Sequence, residues 1–71
     1  MYVTRHACKR FMERVIKTDD YDEGNLKFAA KILNDMAAHI DIGLNVDLPI
    51  IGFKGSFLRV RDNAVVTVIN K

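Results

Sequence analysis

The stretch SFLRVRDNAVVTVI, residues 56–69, decides the fold class of this chain. It contains two runs rich in β-branched and apolar residues, and the Asp62-Asn63 spacer between them suits a hairpin turn. Just upstream, LPIIGFKG (residues 48–55) predicts another strand, in which Pro49 belongs at the start or edge because it has no N–H for a ladder hydrogen bond. This part of the chain is therefore predicted to form an antiparallel meander.

Before the strands, apolar residues recur with the helical period, which indicates two amphipathic helices. The first is predicted over about residues 5–17 with Thr4 as its N-cap. The second is predicted over about residues 26–42 with Gly43 as a left-handed C-cap. The β-favouring residues 2–4 predict a short edge strand in front of both helices.

The predicted fold is therefore a single α+β domain covering residues 1–71, in the order β-α-α-β-β-β. Both helices are expected to pack on a three- to four-stranded antiparallel sheet. With 71 residues, of which 49% are hydrophobic, the chain is close to the lower size limit for folding without staples. A large enclosed cofactor pocket, a doubly wound sheet and a β/α barrel are excluded, so any site must lie on the surface or at an interface.

We expect neither a metal nor a cofactor. The one cysteine, Cys8, cannot form an internal disulfide, and no histidine, cysteine or carboxylate motif has metal-ligand spacing. No segment approaches about 20 uninterrupted apolar residues, and the basic residues 1–11 are not followed by the apolar region of a secretory signal. The expectation is a soluble, cytoplasmic protein with no membrane partner.

The net charge of +2 conceals two blocks of opposite sign. Residues 1–17 contain five basic residues and one acidic residue, whereas residues 18–24 contain four acidic residues and no basic one. The acidic block is interpreted as a solvated loop leading into the N-terminus of the second helix, where negative charge opposes the helix dipole favourably.

The polar face of the first predicted helix is the most informative feature for chemistry. Four residues lie within one arc of the helical wheel, at i, i+4, i+8 and i+11: His6, Arg10, Arg14 and Lys17. An imidazole, with an unperturbed pKa of about 6.5, suits general acid or base catalysis, and guanidinium groups suit bidentate phosphate binding. The alternative is a solvated helix face with an ordinary surface histidine.

The strands predict a second basic group. Alternation places Leu58 and Val60 against the helices and leaves Arg59 and Arg61 on the open face of the sheet, near Lys54 in the preceding turn. The same face is predicted to carry Phe53, Phe57 and Thr67. Cations neutralise phosphate and an aromatic ring can stack on an unpaired base, so this face suits RNA. The alternative is that the arginines serve solubility and edge protection.

Both ends of the chain resemble a known family. The segment TRHACKRFMER (residues 4–14) resembles the T-x-H-A-x-x-R-x-x-E-R start of small bacterial and phage proteins grouped around the RelE-like toxins. The segment FLRVRDNAVVTVI (residues 57–69) resembles their final hairpin, although Asn63-Ala64 stands where that hairpin usually has a turn glycine. These proteins belong to the barnase-like, colicin-like and RelE-like ribonucleases.

The resemblance implies a metal-independent endoribonuclease, in which a base deprotonates the ribose 2′-hydroxyl and the resulting oxyanion attacks the adjacent phosphate. Carried over by position, the catalytic residues are His6, as acid or base, and Arg10. The predicted RNA- and phosphate-binding residues are Arg14, Lys17, Lys54, Arg59, Arg61 and Thr67. The implied partners are RNA, including RNA on the ribosome, and an antitoxin.

Two other interpretations stay open. A small interaction protein would use the basic face, or an apolar edge strand at residues 50–53, to bind and inhibit a host or toxin protein. A plain nucleic-acid-binding domain would bind RNA or DNA without cleaving it. Separately, the small core makes a homodimer a further hypothesis. The nuclease interpretation carries a structural requirement: His6 should open onto the same groove as Arg59 and Arg61.

Overall fold

A computed structural model describes residues 1–41 and 43–71. The elements, in chain order, are β1 (Tyr2–Val3), α1 (Arg5–Phe11) continued by a π-helical segment (Met12–Ile16), α2 (Glu23–Ala37), β2 (Val46–Pro49), β3 (Ser56–Arg61) and β4 (Ala64–Asn70). The α+β class and the element order are those predicted from the sequence.

The four strands form one sheet in the order β1-β4-β3-β2. β2, β3 and β4 are an antiparallel meander, as predicted, but β1 pairs with β4 in parallel, with Tyr2 opposite Ala64 and Val3 opposite Val65. The expectation of a purely antiparallel sheet is therefore wrong, and the sheet is mixed. A parallel pair requires a long crossover between its strands, and here both helices, β2 and β3 lie between β1 and β4 in the chain.

Helix α1 is fixed to the sheet at its first turn. The Thr4 hydroxyl accepts a hydrogen bond from the Ala7 N–H at 3.0 Å, which confirms the predicted N-cap, and it donates to the Val66 carbonyl at 3.1 Å. The helix then widens into the π-helical segment and ends at Lys17, whose φ of 65° is left-handed. A π-helix has more residues per turn than an α-helix, so side chains in this segment leave the α-helical spacing. The apolar side chain of Ile16 is 42% exposed as a result.

Helix α2 begins and ends earlier than predicted. The Asp22 carboxylate accepts from the Asn25 N–H at 2.7 Å, so the helix starts at Glu23. It ends at Ala37, and the predicted last residue, Ile42, lies outside the described residues. Gly43 does have a positive φ of 92°, but it lies beyond the end of the helix and is not its C-cap.

The first strand of the meander lies upstream of the predicted run. β2 covers Val46–Pro49, and the connection 50–55 consists of turns, because the chain reverses there through positive φ at Gly52 and Gly55. Pro49 ends an edge strand, in agreement with the prediction that it lies at the start or edge of a strand. The predicted apolar edge strand at residues 50–53 is therefore absent from the described structure.

The hairpin between β3 and β4 is confirmed. Asp62 and Asn63 both have positive φ, 52° and 64°, which is the combination that a two-residue type I′ turn requires. Strict alternation in β4 predicts Val65 and Val68 on opposite faces, but both are fully buried. A bulge between Arg59/Val60 and their β4 partners shifts the register by one residue and turns Val65 inward.

The core lies between the sheet and the two helices, and the helices cover only one face of the sheet. Its largest fully buried side chains are Phe11, Leu33, Leu58, Val60, Val65 and Val68. The residues that alternate with the buried ones of β3 point to the uncovered side, which we call the open face. Among the described residues, no helix combines the length and apolar character needed to cross a membrane.

Candidate functional site

The structure divides the eight predicted site residues into three separate groups. α1 carries His6 and Arg10, a groove at one end of the sheet collects Arg14, Lys17 and Lys54, and the open face carries Arg59, Arg61 and Thr67. The groups have different surroundings, so each is described separately.

The basic groove is a cavity of about 250 Å³ where β3 begins and β4 ends. Its lining contains four cationic side chains and no acidic side chain; the cations are Arg14, Lys17, Lys54 and Lys71. Phe53 and Asn70 complete the part of the lining that matters for binding. A wider cleft of about 660 Å³ adjoins the groove, shares Arg14 and Lys17 with it, and adds Glu13 and Asp19. The groove itself is more strongly cationic than the adjoining cleft, which also carries two acidic side chains.

Three backbone features bring the groove cations together. Arg14 donates from Nη1 to the Val68 carbonyl at 2.9 Å, because β1 is too short to pair with that part of β4. Lys17 lies at the left-handed residue that ends the helix. Gly55 accepts from the Lys71 N–H at 2.7 Å, and a Cβ at this glycine would lie 3.2 Å from the Lys71 carbonyl oxygen. This close approach places Lys71 beside the turn that carries Lys54.

On the open face the arginines are ion-paired. Asp47, opposite Arg59 in the β2–β3 register, accepts two hydrogen bonds from its guanidinium, Nε to Oδ1 at 3.0 Å and Nη2 to Oδ2 at 3.1 Å. Arg61 and Lys71 approach the same carboxylate at 3.4 Å each. The hydrogen bonds from Arg59, with the nearby positive charges, hold the pKa of Asp47 well below its usual range. We call these four residues the Asp47 cluster.

The rest of the open face is also engaged. Arg61 donates from Nη1 to the carbonyls of Val46, at 3.3 Å, and Val60, at 2.7 Å. The Lys71 ammonium lies 4.8 Å from the centroid of the Phe57 ring, a cation–π contact that covers one side of this ring. Thr67 pairs with Arg59 across the β3–β4 ladder and lies on the open face as predicted. The open face is therefore a strand-pairing surface on which three cations share one carboxylate.

The structure does not bring His6 together with Arg59 and Arg61. His6 is exposed on α1, whose opposite side buries Ala7 and Phe11 in the core, and the arginines extend from the other side of the sheet. The core and the sheet thus lie between the imidazole and the two guanidinium groups. The requirement that the nuclease interpretation placed on His6, a shared groove with these arginines, is not met by this arrangement.

His6 and Arg10 also lie outside the basic groove. With a rise of about 1.5 Å per residue, His6 is about 12 Å along the helix from Arg14. Arg10 donates to Glu13 Oε1 at 2.8 Å, and the Tyr21 hydroxyl donates to Oε2 of the same carboxylate at 3.2 Å. Glu13 thus pairs with a neighbouring helix cation, and this pairing removes Arg10 from the set of free cations.

Two residues of these surfaces escaped prediction from the sequence. Asp47 was left out because the strand was expected to begin at Leu48, although alternation between Val46 and Leu48 signals that Asp47 points to the open face. Lys71 carried no local signal, since its position depends on the backbone contact with Gly55. Asp47 matters because the cations of the open face share its carboxylate, and Lys71 matters because it adds a cation to the groove.

Within residues 1–41 and 43–71, no group of three or more histidine, cysteine or acidic residues could hold a metal ion. Burial raises the pKa of the Cys8 thiol, so this thiol is poorly suited to act as a nucleophile. No protein-family model, no curated protein sequence and no solved structure matches the chain. The resemblance to RelE-like proteins therefore stays a prediction.

Proposed function

We propose that this protein binds RNA, and that the basic groove is where the RNA backbone lies. The observation that carries the proposal is the set of four cationic side chains around one groove that no acidic side chain lines. Lys17 and Lys54 form no ion pair with any described residue, so their charges are available to a ligand. Phosphates bound there would release counterions, which is the main source of affinity in such complexes.

The size of the groove supports a polymer ligand over an enclosed small molecule. Its volume of about 250 Å³ is below the usual range of small-molecule pockets, and the adjoining cleft extends it along the surface. The resemblance of residues 4–14 and 57–69 to ribonucleases supports RNA over other polyanions. Binding is the activity that the gathered residues support best, because the predicted acid–base residue His6 lies away from them.

The test is a binding titration of a short fluorescein-labelled RNA at several salt concentrations. The double variant Lys17→Ala/Lys54→Ala should bind about tenfold more weakly or worse, and its log K against log salt slope should become shallower by about two. The matched control is Lys27→Ala/Lys31→Ala, which removes the same charge from the exposed side of α2. Equal weakening in the two double variants would show that only net charge matters and would contradict the groove assignment.

Docking to a protein is a second candidate function, and one observation favours it. Ile51 is 87% exposed in the turn that follows the edge strand β2. The uncovered edge of β2 presents unpaired backbone groups to another chain, and Ile51 adds exposed apolar surface next to that edge. The earlier expectation that residues 50–53 add a strand to a partner is replaced by docking through this turn and β2.

A further inference from the structure

The turn that carries Lys54 also places an aromatic ring in the basic groove. Phe53 lines the groove beside Lys54, and the residue is 42% exposed. Its backbone is fixed on both sides, because its N–H donates to the Ile50 carbonyl and its carbonyl accepts from the Ser56 N–H, each at 3.1 Å. Phe53 is therefore an accessible aromatic side chain on a hydrogen-bonded turn, next to unpaired cations.

The two phenylalanines near the groove differ in what covers them. The ring of Phe57, on the open face, has the Lys71 ammonium 4.8 Å from its centroid. No cation among the described residues lies over the ring of Phe53. An aromatic ring without a cation above it is available for stacking on another π system. This difference singles out Phe53 as a site for a nucleobase.

Cations and an aromatic ring select different features of a nucleic acid. Cations bind phosphates of single strands and duplexes alike, whereas a ring can stack only on a base whose face is not already covered by neighbouring base pairs. A groove that contained cations alone would bind both forms. Phe53 adds a contact that an intact duplex cannot make along its length.

We infer that the basic groove takes single-stranded RNA, with phosphates on Lys17 and Lys54 and an unpaired base stacked on Phe53. This inference rests on the proposed function and narrows its ligand class. Stacking is tolerant of base identity, because every base has a π face, so little sequence preference is expected from this contact.

The experiment compares a short labelled RNA that forms no hairpin with the same strand annealed to its complement. The unsubstituted protein should bind the single strand more tightly. Phe53→Leu should weaken single-strand binding on the order of tenfold and leave duplex binding unchanged, because it removes the ring and keeps an apolar side chain. Phe53→Trp, which keeps a stacking ring, should retain the preference. Circular dichroism of each variant verifies that the fold is intact.

The matched control is Ile51→Ala, which removes exposed apolar surface from the same turn but outside the groove lining. It should leave both affinities within about twofold. The inference is overturned if Phe53→Leu keeps full single-strand affinity, or if it weakens the duplex equally. If both forms bind equally and the lysine variants still weaken them, RNA binding stands and the single-strand preference fails. If neither form binds, the proposed function fails as well.

Discussion

Two basic surfaces of this small protein use the same residue types in different ways. On the open face, Arg59 holds Asp47 through two hydrogen bonds, and Arg61 and Lys71 share the same carboxylate. In the basic groove, no acidic side chain lines the cavity, and Lys17 and Lys54 have no acidic partner among the described residues. From the sequence alone, the cations of the open face and those of the groove would look equally available to a ligand.

On the open face, a carboxylate opposite Arg59 in the strand register engages this arginine within the fold. The Asp47 cluster joins edge strand β2 to β3, so its charges stabilise strand pairing. The groove cations are held by backbone features at the ends of elements, such as the left-handed Lys17 and the turn at Gly55. Of these cations, Lys17 and Lys54 have no ion-pair partner among the described residues.

The largest expected effect comes from removing the Asp47 carboxylate. The open face, like the groove, would then carry cations without an acidic side chain among them. Asp47→Asn leaves the positive charges of Arg59, Arg61 and Lys71 without their shared partner. We expect a clearly lower Tm by thermal denaturation and, on the folded protein, tighter RNA binding with a steeper salt dependence. Asp35→Asn is the control, because its pair with Lys31 is an isolated, exposed ion pair of little energetic value.

The same variant predicts a pH dependence. Because the pKa of Asp47 is lowered in the folded state, its contribution to stability is complete above its unfolded pKa of about 3.9. That contribution should be lost as the pH falls from there toward the lowered folded-state pKa. Denaturation of the unsubstituted protein should therefore be nearly insensitive to this group above about pH 5, and the acid-dependent loss should be smaller in Asp47→Asn. An identical acid dependence in both proteins, or a Tm change no larger than that of Asp35→Asn, would contradict the role given to the cluster.

An intermediate effect is expected at Arg14, which belongs to the groove but also contacts the sheet. Arg14→Ala removes the hydrogen bond to the Val68 carbonyl and should lower the free energy of unfolding by about 1 kcal/mol, while also weakening RNA binding. Lys54→Ala, at an exposed turn residue, should weaken RNA binding with no change in stability. Urea denaturation and the RNA titration together separate these outcomes, and a destabilised Lys54→Ala would argue against a purely ligand-directed lysine.

The smallest effect is expected on the exposed side of α1. His6→Ala/Arg10→Ala should bind RNA within about twofold of the unsubstituted protein, because neither residue lines the groove. The ribonuclease hypothesis, in contrast, predicts that this variant abolishes RNA cleavage while the domain stays folded. Cleavage that persists in the double variant would refute the catalytic assignment, and cleavage that disappears would restore it.

A growth assay separates catalysis from docking. Toxicity on expression that is lost with His6→Ala favours a nuclease. Toxicity that persists in that variant but is lost with Ile51→Asp favours docking through the exposed turn.

The parts of the fold that could be predicted depend on local patterns. Thr4 before an amphipathic run and Asp62-Asn63 between two apolar runs act within a few residues, and both have the predicted roles. The parallel pairing of β1 was missed because it joins residues at opposite ends of the chain. The bulge beside Arg59 was missed because it has no glycine or proline to mark it.

The candidate site was predictable residue by residue but not as an arrangement. The sequence singled out Arg14, Lys17 and Lys54 as cations suited to phosphate, and these three do line one groove. It could not show that Arg59 is paired with Asp47, because their distance depends on the strand register. Nor could it separate His6 from the sheet arginines, since the layer in which a helix packs is a tertiary property.

Both helices, the β3–β4 hairpin, the element order and the identity of the cations follow from the sequence, because capping, periodicity and turn chemistry act between near neighbours. Tertiary contacts set which cations meet a carboxylate and which remain available. They depend on strand register, on a bulge, and on the backbone contact between Gly55 and Lys71, all of which join residues distant in the chain.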